Sequence, residues 1–207
     1  MMHIIGAGGH AKVVLEILEQ SDPILTIWDD NTEAYLVHHK VKGNINHFKE
    51  TGSDKVIVAI GDNNLRKKIV GELDFPPAIT AIHASSSISL SAHIGKGTVV
   101  MSNVSVNANA LIGNNVIINT SASVDHDCNI SDFVHIAPQV GVAGNVTVGE
   151  GTHIGIGACI IQGISIGKWA TIGAGSVIIR DVPDYAVVVG NPGRIIKYKK
   201  PIEEIYD

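Results

Sequence analysis

The chain has 207 residues, 45% of them hydrophobic but only 4% aromatic, so a core here must be built from aliphatic side chains rather than rings. Twenty-two glycines and 17% charged residues fit neither a disordered chain nor a helical bundle. A net charge of −5 without a basic tract argues against a nucleic-acid partner, and no apolar run approaches the ~20 residues of a membrane-spanning helix. The first residues lack the basic region and small-residue cleavage site of a secretory signal. Cys128 and Cys159 supply neither a disulfide framework nor a metal-binding pair. A cytoplasmic location and no metal are expected.

In chain order, His3–Ile5 reads as a short strand, the turn Gly6-Ala7-Gly8-Gly9-His10-Ala11 follows, and Lys12–Gln20 has the spacing of an amphipathic helix. Ile24–Trp28 reads as a second strand ending in Asp29-Asp30-Asn31. After a polar stretch holding His38, His39 and His47, Lys55–Ile60 reads as a third strand ending in Gly61-Asp62-Asn63. Leu65–Leu73 looks helical, and Pro76-Pro77 marks a boundary, so residues 1–78 are expected to form a small Rossmann-like β-α-β unit with a parallel sheet. Gly6-x-Gly8-x-x-Ala11 with acidic Asp29 satisfies the dinucleotide fingerprint, but the segment holds only about half of a dinucleotide fold. What survives is narrower. Backbone N–H groups at a helix N-terminus can cradle a phosphate, and carboxylates at the next strand end can bind hydroxyls or a base.

From residue 79 the pattern changes. Every sixth residue from Ile82 to Ile178 is Ile or Val without exception. Four residues after each comes a small or β-branched residue, Ile164 being the bulkiest of them. A helix cannot use a period of six, and simple hairpins would show a period of two. Hexapeptide periodicity marks a parallel β-helix of short strands and tight corners, with the aliphatic pointing inward. Residues 79–207 are therefore expected to form an all-β solenoid of about 5–6 coils, roughly 25–30 Å tall, with a C-terminal tail. Gly95, Gly113, Gly149, Gly155, Gly167 and Gly173, one place after the aliphatic, are expected to ease the chain into the next turn, as are Asn107, Asn119 and Asp125 in the same phase.

The block Asn119-Thr-Ser-Ala-Ser-Val-Asp-His126-Asp127-Cys, followed by Phe133-Val-His135, sits within this repeat, and the chain closes with Val189-Gly190-Asn191-Pro192-Gly193-Arg194. With the opening Gly-Ala-Gly-Gly-His, these motifs resemble the bacterial hexapeptide-repeat sugar acetyltransferases of the sialic-acid O-acetyltransferase and UDP-4-amino-sugar N-acetyltransferase (bacillosamine) type, over essentially the whole chain. The resemblance implies a left-handed β-helix, acetyl-CoA as co-substrate, a nucleotide sugar as acceptor, and a homotrimer with acetyl-CoA between neighbouring prisms. It implies His126 as general base and Asp127 as the acid that raises its basicity. It places His135 near the acetyl carbonyl and sets Ile156 and Ala174 along the pantetheine arm. Family members often carry glycine where this chain has Ala174. Gly8, Gly9 and His10, with Asp29, Asp30 and Gly61, are implied to hold the nucleotide sugar, most simply a UDP-linked 4-amino-4,6-dideoxy sugar acetylated on nitrogen.

The chemistry asks for the same residue types. A sugar ammonium must lose a proton before it attacks a thioester, and a neutral imidazole beside a carboxylate can accept that proton. His126 and His135 lie nine residues apart, half an 18-residue coil, and so belong on different faces of one prism. A site using both is easier to build where two subunits meet. Leu111 and Ile117, outside the inward phase, are expected to leave an apolar patch that a trimer would bury. Competing readings are O-acetylation of sialic acid, a zinc hydratase resembling γ-carbonic anhydrase using His135 and His153 across an interface, and a non-enzymatic scaffold. Cys128 is a conceivable acyl carrier, although it falls in the corner phase, and His153 otherwise reads as a surface strand residue.

Overall fold

The structure is a computed structural model that describes residues 2–20, 25–51, 53 and 55–200. β1 (Met2–Ile5), β2 (Leu25–Trp28) and β5 (Val56–Val58) form a parallel sheet in the order β2-β1-β5. Between them run α1 (Gly9–Glu19), a hairpin of β3 (Tyr35–Leu36) and β4 (His39–Lys40), and the short helix α2 (Ile45–Lys49). α3 (Asn63–Gly71) follows β5. Both principal helices begin earlier than hydrophobic spacing predicts. α1 opens directly from the glycine turn with Gly8 as its N-cap, and α3 is capped by Asp62, whose Oδ1 accepts from the Leu65 amide at 2.8 Å. The hairpin and α2 were hidden by their polar composition. Ile24, expected in the second strand, lies outside the described residues.

The solenoid begins at Ala81–Ile82, and its two-residue strands pair in parallel with those 18 residues on, in three stacks. The first face carries Ala81–Ile82, Val99–Val100, Ile117–Ile118, His135–Ile136, His153–Ile154 and Thr171–Ile172, and is extended by Ala186–Val189 and an antiparallel Arg194–Tyr198. The second runs from Ser87–Ile88 to Val177–Ile178, and the third from His93–Ile94 to Ser165–Ile166. Side chains alternate across a strand, so the second residue of each pair points inward. From Val100 onward these aliphatics fuse with the corner residues Val104, Ala110, Val116 and their successors into one buried core. Ile82 departs from the expectation: it is 43% exposed because no coil lies beneath it.

The corner glycines act differently from the sequence expectation. Positive φ falls on every sixth residue from Gly97 to Gly175, two places later than Gly95 and its equivalents, and is adopted there by Asn, Ser, Asp, Gln, Phe133 and Trp169 as well as glycine. Gly95, Gly113 and Gly155 are instead required by close stacking. A Cβ at Gly155 would lie 2.7 Å from the Ala174 amide nitrogen of the next coil. Asn107 and Asp125, from the same phase, form a rung between coils, Asn107 Nδ2 donating to Asp125 Oδ1 at 2.8 Å.

The β-α-β unit docks on the first face. Its α1 residues Ala11, Val14, Leu15, Ile17 and Leu18 share a core with Ala81, Val99, Met101 and Ile117. The outward column of that face is apolar beneath α1 and changes to His135, His153 and Thr171 beyond it. Ile117, expected in an exposed patch with Leu111, is 1% exposed because α1 covers it. Leu111 stands on the third face and remains 51% exposed.

Candidate functional site

Two groups of expected residues form, on different parts of the chain. The first lies where the β-α-β unit meets the solenoid. The glycine turn is fastened by Asp29, whose Oδ2 accepts from the Ala7 amide at 2.8 Å, its other oxygen accepting from Asn31 at 2.9 Å. Asp30 braces the start of α2 through the Ile45 amide at 3.3 Å. Gly6 is required by the fold, with φ 111° and a Cβ position 2.9 Å from the Ala59 carbonyl. Gly8 and Gly9 are not: a Cβ at either meets nothing within 4 Å, and Gly8 has an ordinary φ of −84°. No side chain caps α1, which leaves its first amides without a side-chain acceptor.

His10 follows the turn, and its buried Nε2 has no hydrogen-bond partner. Beside it, His135 reaches Gly61: with the proton on Nδ1, that nitrogen donates to the Gly61 carbonyl at 3.3 Å, and Nε2 accepts from Asn119 Nδ2 at 3.2 Å. Both ring nitrogens of His135 are thus engaged within the chain. His153 lies one coil on, edge-on to His135 with ring centroids 4.8 Å apart, and is half-buried rather than a free surface residue. Burial, with help from neighbouring cations, pushes His135 down to about 3 and His10 to about 4, and lowers His153 as well.

The cation at the centre of this junction is Arg66, only 1% exposed, which sequence reading passed over as a polar helix position. Its Nε donates to Asn115 O (2.9 Å), Nη1 to Ile60 O (2.8 Å), and Nη2 to Asn63 Oδ1 (2.8 Å) and Phe133 O (2.9 Å). The guanidinium therefore ties the Gly61 loop to two solenoid coils through neutral oxygens, and burial pulls it down to about 10. Asn63 adds bonds from Nδ2 to Gly151 O (3.0 Å) and Thr152 O (3.3 Å). A cleft of about 310 Å³ opens alongside, lined by Asp62, His135, His153, Thr171 and Lys199 among others.

The second group is the corner between Ser123–Val124 and Asn129–Ile130. Asp127 holds the left-handed position (φ 58°), which turns its carboxylate back onto the preceding ring, and His126 Nδ1 donates to Asp127 Oδ2 at 2.8 Å. That leaves Nε2 as the basic nitrogen on an exposed side chain. The coil below braces the acids: Asn109 Nδ2 donates to Asp127 Oδ1 at 3.2 Å, as Asn107 does to Asp125. Asp125 Oδ1 also accepts from the His126 amide at 2.8 Å. The coil above carries Gly144, where a Cβ would lie 2.6 Å from His126 Nε2, so the ring rests on bare backbone. The Asp127 hydrogen bond, then the Asp125 charge, raises His126 above the usual imidazole value. Asp127 is held below the usual carboxylate range by His126 and Asn109.

Ile156 and Ala174 stack one coil apart on the corner between the first and second faces, both exposed, with the Ile156 carbonyl accepting from Gly175 at 2.8 Å. Among the described residues, no hydrogen bond or ion pair joins the His126 corner to His135 or to the glycine turn. Cys128 is buried, its Sγ donating to the Ala143 carbonyl at 3.1 Å, and burial pushes its thiol up, a poor setting for an acyl carrier.

Comparison with known proteins decides the family. The enzyme named PerB from Caulobacter crescentus, solved in complex with CoA and GDP-perosamine, is 39% identical over 95% of this chain and 97% of its own, with a TM-score of 0.89. This chain belongs to the hexapeptide-repeat sugar acetyltransferases of the bacillosamine type. The acetyltransferase domain of PglB from Neisseria gonorrhoeae, solved in complex with acetyl coenzyme A, is 37% identical over 94% of this chain and 98% of its own, with a TM-score of 0.89. UDP-N-acetylbacillosamine N-acetyltransferase of Bacillus subtilis is 39% identical across 48% of this chain and 50% of its own length. The chain thus spans half or less of the curated relatives it matches, 21% in the case of an uncharacterised mimivirus protein. Residues 2–73 match the family model described as the PglD N-terminal domain. In this chain Arg66, Asn63, Asn109 and Gly144 escaped sequence reading. Only the 18-residue spacing of Asn109 and Gly144 from Asp127 and His126 could have indicated two of them.

Proposed function

We propose that the chain is an acetyl-CoA-dependent N-acetyltransferase whose acceptor is a nucleotide-linked amino sugar, a UDP-4-amino-4,6-dideoxy sugar being favoured. The observation that carries this reading is the His126–Asp127 pair, an imidazole with one nitrogen fixed by a carboxylate and the other open at an exposed corner. In this reading His126 Nε2 takes a proton from the sugar amine as its nitrogen bonds to the thioester carbonyl carbon. The tetrahedral intermediate then expels the CoA thiolate, which His126 reprotonates.

The glycine turn supports the nucleotide end. Gly8 and Gly9 leave backbone open that the fold does not need open, and the uncapped α1 amides are donors suited to a diphosphate. Residues 1–78 would then supply the sugar site and 79–207 the acetyl-CoA site along Ile156 and Ala174. His135, with both nitrogens engaged at Gly61 and Asn119, would act on acetyl-CoA only by releasing one of them. Because the His126 corner and the glycine turn stand apart in one chain, the reading calls for neighbouring copies, and a homotrimer is proposed. A thioester-consumption assay across UDP-, GDP- and dTDP-amino sugars and free sialic acid tests it. Turnover of a nucleotide amino sugar, lowered roughly 10²–10⁴-fold in kcat by His126→Ala with acetyl-CoA binding unchanged, is expected. Turnover of sialic acid alone would overturn the acceptor, and near-normal kcat in the variant would overturn the base.

A further inference from the structure

The hairpin that sequence reading missed gathers a second set of chemically active side chains. His38 and His39 are consecutive, and neighbours along a regular strand face opposite ways. Here the turn between β3 and β4 prevents that. Val37 takes a φ of 56°, a left-handed conformation that a β-branched residue adopts only under strain. The turn swings both rings to one side, 4.3 Å apart between centroids. Both Nε2 atoms meet a single carboxylate oxygen: Glu19 Oε1 lies 2.7 Å from His39 and 3.2 Å from His38. The three donor atoms fall within 4.8 Å of one another.

We propose that Glu19, His38 and His39 form a binding site for a borderline divalent transition metal, with zinc the fitting ion. Two imidazoles and a carboxylate are a common donor set for such ions, and a tetrahedral zinc with bonds of 2.0–2.2 Å needs donors about 3.3 Å apart. Shifts of roughly an ångström at the side-chain tips reach that geometry. In the metal-free arrangement each ring must turn an N–H toward the shared oxygen; moving that proton to Nδ1 frees both Nε2 lone pairs for the ion. A further feature points the same way. Glu19 is the last residue of α1, whose final turn carries no basic side chain, so the negative pole of the helix is unanswered there.

The site is distinct from the acetyl-transfer groups: it occupies the opposite end of α1 from the glycine turn, ~16 Å along an eleven-residue helix. Its ion would fasten the hairpin to α1. Oxygen-preferring ions have little affinity for it, because two of its three donors are imidazole nitrogens.

Titration of the full-length, chelator-treated chain with zinc chloride by calorimetry at pH 7.5 tests the proposal, with magnesium chloride as comparison. One zinc per chain is expected at micromolar affinity, weakened at least about tenfold by His38→Ala and by Glu19→Gln, and unaffected by excess magnesium. His38 is exposed, so its replacement leaves the fold intact. Bound zinc should also raise the melting temperature of the wild type but not of His38→Ala, with acetyl transfer the same in both. Failure to take up zinc, or an identical isotherm in both variants, overturns the proposal.

Discussion

Acidification from pH 6.5 to about 4.5 should weaken this protein. His10 and His135 stand at about 4 and about 3 in the folded chain, against 6.5 for an ordinary imidazole. The unfolded chain therefore binds protons at these two positions over a range where the folded chain does not, and stability falls as pH drops below 6.5. From pH 6.5 to about 4.5 each histidine forfeits about 2 kcal/mol, at roughly 1.4 kcal/mol per pH unit per proton, so the pair forfeits about 4. That is a large part of the ~5–15 kcal/mol holding a typical domain. His126 is raised and has the opposite sign, its contribution fading as pH rises past its folded value. Asp125 and Asp127 are lowered and stay ionised throughout this window. Urea unfolding at fixed protein concentration reads the effect, with Trp28 reporting the β-α-β unit and Trp169 the solenoid, both buried. His135→Asn should flatten the pH dependence in part, because burial also lowers His10, His153 and His3. A wild-type stability that changes by less than about 1 kcal/mol across the window would refute the argument that these rings are kept neutral by burial.

Three further outcomes follow from the corner and the turn. Asp127→Asn removes the carboxylate that raises His126, so the acidic limb of kcat/KM should move to lower pH while the plateau falls, read from a pH–rate profile. Gly144→Ala should displace the His126 ring from the coil above, lowering kcat about tenfold or more while urea stability stays within about 0.5 kcal/mol of wild type. Gly8→Val should leave the fold intact, since its Cβ meets nothing, yet raise KM for the nucleotide sugar without raising KM for acetyl-CoA.

The solenoid is legible because its inward positions must be aliphatic every six residues, whatever else the chain does. The left-handed positions are not, because the conformation is imposed by the stacked coils. Phe133, Gln139 and Trp169 occupy it beside asparagine and glycine, and no composition rule would find them. His126 and Asp127 are visible as neighbours in sequence, but the support from Asn109 and Gly144 comes from adjacent coils. Arg66 reads as a solvated helix residue until three segments deliver carbonyls around it. Ile117 looked like an exposed face because helix docking on a sheet leaves no local period in the sheet's own residues.

The strict pairing of each strand with the one 18 residues on has a consequence for how such chains can change length. Adding or deleting a whole coil shifts everything above it by one step and keeps every side chain on its face. Adding a single hexapeptide between Ile118 and Val124 would keep the core aliphatic yet carry His126 to the next corner and His135 off the face where Gly61 and Arg66 meet it. Angular position in this protein is therefore quantised in thirds of a turn. Length variation that preserves both the core and the placement of the His126–Asp127 corner is confined to multiples of 18 below that point, while insertions above Thr171 escape the restriction.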